Sequence, residues 1–241
     1  MREDAEQSGS GAPIFRHSEP EDPVPGEQAR EAERIEAHVE QHLGPIEHVY
    51  HELVSEYVHL DVLMVPAHDE RPFHTLVTCG MSARPMAVPD GNGAPRYAEL
   101  LIGLPPEWPL DEASWRDERH YWPVRLLKQL ARLPHEYGTW LGAGHTIPNG
   151  DPPEPYAPGT RLCCGLVARA LTTSDEFDVL ELDDGPLAFY GVIALHRDEM
   201  ELKLSSGMEA LADPFERARV SEVVDPRRPS ALARRKRFGL F

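Results

Sequence analysis

The stretch that decides the fold is Val58-His59-Leu60-Asp61-Val62-Leu63-Met64-Val65, residues 58–65. Val58, Leu60, Val62 and Met64 fall on one side of an extended chain and His59 and Asp61 on the other, the two-residue period of a strand with one buried face. Pro66 closes it. Residues 66–72 turn the chain, and Phe73 to Cys79 reads as the antiparallel partner, ended by Gly80. Further out, Asp90-Gly91-Asn92-Gly93 is a loop tip, and Tyr97 to Leu104 is a third strand that stops at Pro105-Pro106.

A helix precedes these strands. Between Glu27 and Leu43, the residues Ala32, Ile35, Val39 and Leu43 recur at three- and four-residue steps, and Gly44-Pro45 supplies the stop. The clearest helix follows the strands and is expected to open at Pro123, whose missing N–H suits a first helical position. Val124, Leu127, Leu130 and Ala131 form its apolar stripe, and Arg125, Lys128, Gln129 and Arg132 its polar, basic side. Residues 138–160 are broken throughout by glycine and proline and read as one long loop, of a length that tends to be functional or disordered.

Strands then return over Arg161 to Ala168, Phe177 to Leu182 and Pro186 to Leu195, the last two joined by the turn Asp183-Asp184-Gly185. Leu187, Phe189 and Ile193 alternate with Ala188, Tyr190 and Val192, so this strand is apolar on both faces and belongs at the centre of a sheet. Two short helices follow, around 198–205 and 208–216. Strands grouped on either side of one central helix, with hairpin turns in place of regular β-helix-β alternation, give an α+β class: a mostly antiparallel mixed sheet with helices packed on it.

Composition bounds the rest. The chain has 241 residues, 41% hydrophobic and 27% charged, enough for one domain with a real core. Residues 27–225 read as that domain. Residues 1–26, rich in Gly, Pro, Ser and acids, read as a disordered acidic tail, and residues 226–241 as a flexible basic one. The formal charge is −17, although residues 226–241 hold six basic side chains and no acid, so the domain itself is the acidic part. A field of that sign repels nucleic acid and anionic membrane and favours cationic partners. Apolar runs such as Leu100 to Leu104 are too short to span a bilayer, and no export signal is seen. The adjacent pair Cys163–Cys164 is poorly placed for a disulfide, which points to a reducing cytoplasm.

Complete catalytic constellations are missing. Cys163 and Cys164 lie in the apolar run 162–167, where a thiol is an inert hydrophobe. Ser82 follows Gly80 but lacks the complete strand-Gly-x-Ser-x-Gly turn that exposes a nucleophile. His48, His51 and His59 have no second set of ligands near them, His145, Asp151 and Glu154 are separated by prolines, and Gly142-Ala143-Gly144 is not a dinucleotide loop. Neither metal nor cofactor is expected.

Several segments carry a resemblance: Thr75-Leu76-Val77-Thr78-Cys79-Gly80-Met81-Ser82, Ala98-Glu99-Leu100, Trp122-Pro123, Gly144-His145-Thr146-Ile147-Pro148-Asn149-Gly150, Phe189-Tyr190-Gly191-Val192 and Glu199-Met200-Glu201-Leu202-Lys203, in that order. With these the chain resembles the suppressor of fused family in its compact bacterial form, over residues 30–225. The resemblance implies a domain that binds other proteins and has no catalytic residues. Animal members hold a transcription factor between two lobes, of which this chain has the first, and they place an acid where this chain has Gly144. Bacterial relatives are suggested to neutralise toxins, and an acidic field suits a basic toxin domain. The long loop is the expected contact surface, with His145, Thr146 and Asn149 as polar groups and Trp140 and Tyr156 as aromatic anchors. The rival readings are a hydrolase or transferase using Cys163 or Cys164 with His145, and a regulatory subunit of a larger complex.

Overall fold

The computed structural model describes residues 6–17, 19–23, 31–52 and 57–233. Its centre is an eight-stranded sheet in the order β3-β4-β5-β6-β10-β8-β7, with β9 also on β10. The strands are β3 (His48–Tyr50), β4 (Asp61–Val65), β5 (His74–Cys79), β6 (Tyr97–Leu104), β7 (Thr146–Pro148), β8 (Cys164–Arg169), β9 (Val179–Leu182) and β10 (Gly185–Leu195). β10 runs parallel to β6, while every other described pairing in this sheet is antiparallel. The α+β class and the mostly antiparallel mixed sheet therefore stand.

Helices cover both faces. α1 (Ala32–Leu43) lays Ile35, Val39 and Leu43 on Leu63, Val65, Val77, Leu101 and Phe189. The expected start of this helix at residues 27–30 lies outside the described residues. α2 (Glu118–Glu136) lays Trp122, Leu126, Leu127 and Leu130 on the opposite face, against Leu76, Leu100, Ile102 and Val192. α3 (Arg197–Ser206), the 3-10 turn Met208–Leu211 and α4 (Ala212–Ala218) cover the β8 and β10 end through Met200, Leu211 and Phe215 respectively. β10 is buried on both faces along most of its length, as its doubly apolar pattern predicts.

Several boundaries differ from expectation for physical reasons. α2 opens at Glu118, five residues before Pro123, because the Asp117 side chain caps it by accepting from the Arg119 N–H. Pro123 therefore sits inside the helix and leaves the Arg119 carbonyl without its usual donor. β4 begins at Asp61 and not at Val58, because Tyr57 has a φ of 66° and the chain there passes against Gly80. The 138–160 stretch, expected to lack regular structure, contributes β7.

Both expected tails are partly built. Glu6–Gln7 (β1) and Pro13–Ile14 (β2) form an antiparallel ladder, and Glu21 is bonded to Glu136. At the other end, Val223 bridges Gly103 and Arg228 enters a buried ion pair with Glu199, so residues 226–233 are anchored. The basic cluster Arg234–Arg237 and Phe238 and Phe241 lie outside the described residues. No described helix is long and apolar enough to cross a membrane.

Candidate functional site

The segment between α2 and β8 holds every residue singled out as a contact candidate. It leaves α2 through Gly138 at a φ of 55° and is tied back by the Thr139 N–H to the Pro134 carbonyl. A turn closed by His145 N–H to the Gly142 carbonyl, 3.1 Å, leads into β7. β7 then pairs with β8: Thr146 opposite Leu166, Ile147 opposite Gly165 and Pro148 opposite Cys164.

Trp140 and His145 form one unit. Their ring centroids are 4.2 Å apart at 64°, and Phe15 of the N-terminal segment reaches the same imidazole at 6.4 Å. Burial pushes the His145 pKa down, and Lys203 adds to this, while a bond with the Trp140 backbone opposes it. The ring is therefore neutral near pH 7 and offers polarity without fixed charge. Thr146 is next to it, its hydroxyl accepting from Lys203 Nζ at 2.7 Å.

Asn149 staples the turn that follows. Its Nδ2 donates to the Glu154 carbonyl at 2.8 Å, and its backbone carbonyl accepts from Glu154 N–H at 2.8 Å. Gly150, at a φ of 90°, makes the Asn-Gly turn possible. Asn149 is thus committed to its own loop, leaving its exposed edge for any contact. Tyr156 differs from expectation: it is 4% exposed, stacked at 5.0 Å and 4° on Trp122. It anchors the loop onto α2 and presents no surface, and its backbone carbonyl accepts from Arg125 Nη2 at 2.9 Å. The basic side of α2 is similarly engaged, with Arg132 paired to Glu52 and Arg125 also paired to Glu118.

The thiols do not meet a base. Cys163 and Cys164 are 3% and 0% exposed, and burial pushes both pKa values up. His145 lies opposite Val167 in the ladder, away from the Cys164 pairing with Pro148. A buried, protonated thiol is a poor nucleophile. His51 and His59 both bond the Asp61 carboxylate, at 3.1 and 3.2 Å. Among the described residues no group of three or more His, Cys, Asp or Glu side chains is placed to hold a metal ion.

Two features were not read from the sequence. The first is three carboxylates that are fully or almost fully buried, each accepting from three or four donors. Glu99 accepts from Thr78 Oγ1, Gly80 N, Ser82 N and Ser82 Oγ at 2.6–3.0 Å. Burial raises its pKa, and those bonds oppose the rise. Glu199 accepts from both Arg228 nitrogens, His196 N and Ala231 N. Glu222 accepts from Leu171 N, Thr172 N and Thr172 Oγ1. Buried carboxylates held by this many donors fix loops in place. The second feature is an apolar groove of about 500 Å³ between β8, β10 and α4, lined by Ala168, Ile193, Leu211 and Phe215, with Leu171 and Met208 at its rim. Leu171 is 62% exposed. None of its lining residues belongs to the 138–160 loop. β8 is buried on both faces from Cys164 to Ala168, so a run as apolar as 162–168 gives no sign that a groove opens beside it.

Taken together, a mixed sheet splinted by buried carboxylates and carrying its irregular segments on top defines an α+β domain of the suppressor of fused type. The family description for suppressor of fused protein (SUFU) matches residues 56–229, and the chain belongs to that family. Among solved structures it is similar to a SUFU homologue from Neisseria gonorrhoeae FA 1090, with 15% identity over 85% of this chain and 98% of that one and a TM-score of 0.60. It is also similar to a chain in the crystal structure of the Sufu-Fu complex, with 16% identity, 87% and 93% coverage and a TM-score of 0.57. At these identities the likeness is one of fold. No curated protein sequence matches the chain.

Proposed function

We propose that this chain is a non-enzymatic protein-binding module of the cytoplasm, and that the partner it suits best is a basic protein domain such as a toxin that it neutralises. The observation that carries the reading is the charge. The chain is formally −17 even with a basic C-terminal end, a field that accelerates encounter with cationic surfaces and repels nucleic acid. The contact surface is the outer side of the 138–160 segment, where Trp140, His145, Thr146 and Asn149 stand half-buried and Tyr156 supports them from below. A relative of the same fold has been solved in a complex called Sufu-Fu, which supports binding as the family's mode of action.

Capture from the native host tests this. The full chain immobilised at low salt recovers a basic protein, and recovery falls as ionic strength rises, since exposed charges are screened within about 10 Å at 0.1 M salt. Recovery of no protein at low salt overturns the reading. The enzyme alternative makes the opposite demand, a thiol that reacts rapidly with iodoacetamide near neutral pH, and the burial of Cys163 and Cys164 speaks against it.

A further inference from the structure

We infer that the N-terminal segment formed by residues 6–17 and 19–23 is a displaceable strap closed over the Trp140–His145 surface, which a partner must move aside to reach that surface. This rests on the assignment of the 138–160 segment as the contact face.

The strap touches that face at successive points. Ser10 N–H donates to the Leu204 carbonyl at 3.0 Å at the end of α3, the helix that carries Lys203 toward Thr146. Phe15 lies against His145. Arg16 Nη1 comes within 3.7 Å of Asp151. His17 packs on Tyr137 with centroids 5.4 Å apart. Glu21 N–H donates to the Glu136 carbonyl at 2.7 Å, and the Glu21 carbonyl accepts from Tyr57 Oη at 3.0 Å. The segment thus runs from α3, across the loop, to the end of α2.

What holds it is slight. The β1–β2 ladder has two residue pairs, and Phe15 is still 48% exposed. No strap residue enters any of the three buried apolar clusters. Arg16 is 67% exposed, so its pairs with Glu6 and Asp151 are of the surface kind that contributes little. A segment with backbone bonds and two exposed rings, Phe15 and His17, but no core burial, opens locally far more easily than the domain unfolds. Its composition suits the role as well, because Glu6, Glu19, Glu21 and Asp22 outnumber Arg16, and a basic partner meets those carboxylates first.

The experiment uses the full chain labelled with 5-fluorotryptophan, with the Trp140 fluorine line assigned by its loss in Trp140→Phe. The probe is a synthetic peptide of residues 6–23. In the native chain the tethered copy outcompetes the free one, since a short tether gives an effective concentration in the millimolar range, so about 1 mM peptide leaves the Trp140 line in place. In Phe15→Ala the line moves, and the peptide returns it toward the native position with an affinity about tenfold or more above that for the native chain. Ser10→Pro, which removes the N–H given to Leu204, behaves in the same way. A Trp140 line unmoved in both variants, a line that moves but does not return with peptide, or equal peptide binding by native and variant chains each overturns the strap. No partner is needed, so failure of the binding-module reading shows in the capture experiment and failure of the strap shows here.

Discussion

Replacing Arg228 with alanine removes the guanidinium that holds the C-terminal segment on the domain. Arg228 Nη1 and Nη2 each donate to Glu199 at 2.6 Å, and Nη2 also donates to the Ala194 carbonyl at 2.8 Å. The Glu199 side chain is 0% exposed and that of Arg228 12%. A carboxylate so placed, stripped of its cation, keeps only the His196 and Ala231 N–H groups. Breaking a buried pair from one side costs about 3–5 kcal/mol, and the residual exposure of Arg228 puts the expectation at the lower end, about 3 kcal/mol. For a domain of this size that lowers the melting temperature by roughly 6–12 °C. Urea unfolding is the assay. The midpoint falls with the slope unchanged, the loss changes little between low and moderate salt because the pair is screened from solvent, and Arg228→Lys falls between. A loss below about 1 kcal/mol, the surface-pair range, refutes the reasoning, and with it the anchoring of residues 226–233.

Other consequences follow from single contacts. Glu99→Ala leaves the Thr78, Gly80 and Ser82 donors without their acceptor inside the domain, and a loss of at least about 3 kcal/mol is expected in the same unfolding assay. Gly80→Ala places a Cβ 2.0 Å from the His59 carbonyl oxygen at a φ of 136°, so the chain must shift there, and poor expression or a strongly lowered melting temperature is expected. His38 and His135 are both buried and burial lowers both pKa values, so the folded state binds fewer protons than the unfolded one: stability present above about pH 6.5 is lost as pH falls below it. The unfolding midpoint measured from pH 7.5 to 5 shows that slope, and His135→Gln flattens it; a midpoint independent of pH counts against the assignment. Iodoacetamide modifies Cys79, Cys163 and Cys164 only as fast as the domain opens, and labelling of any of them within minutes at neutral pH contradicts their burial.

The sequence made the regular parts of this fold legible because they obey simple periods. The alternation at 58–65 and the double apolar pattern of 187–193 come from burial on one and two faces, and each maps onto β4 and β10 within a few residues. What escaped was set by contacts across the chain. α2 begins where Asp117 turns back to cap it, a start signal upstream of Pro123 and stronger than the proline's own preference for a first helical position. β7 has three residues, one of them proline, and becomes a strand only because β8 lies beside it. The strap has almost no periodicity of its own and is ordered by contacts to Leu204, His145 and Glu136. Of the candidate contact residues, Trp140, His145 and Thr146 do gather on one surface, but Tyr156 faces inward, a distinction that turns on its stacking with Trp122 and has no local signature.

The segments that carry the family resemblance prove to be structural when the hydrogen bonds are traced. Thr78, Gly80 and Ser82 of the 75–82 segment all donate to Glu99 of the 98–100 segment. Glu199, at the head of a third, is the acceptor for Arg228. Gly191, in a fourth, leaves room where a Cβ would lie 3.1 Å from the Ala170 Cα and 3.3 Å from the Glu222 Cβ. These residues fix where loops and the C-terminal segment cross the sheet, and any protein with the same crossings needs them whatever it binds. The 144–150 segment is the exception, since it combines a strand-forming role at Thr146–Pro148 with the ring pair of His145 and Trp140 beneath the strap. If the proposed contact face is the right one, partner choice varies at the surface of that segment and in the N-terminal segment lying on it, while the buried carboxylates hold the frame. Swapping the exposed side chains of 140–149 between two such proteins should transfer partner preference with little change in unfolding midpoint, whereas Glu99→Gln or Glu199→Gln should lower the midpoint and leave partner preference as it was; a change of preference with the carboxylate variants would show that frame and recognition are not separable here.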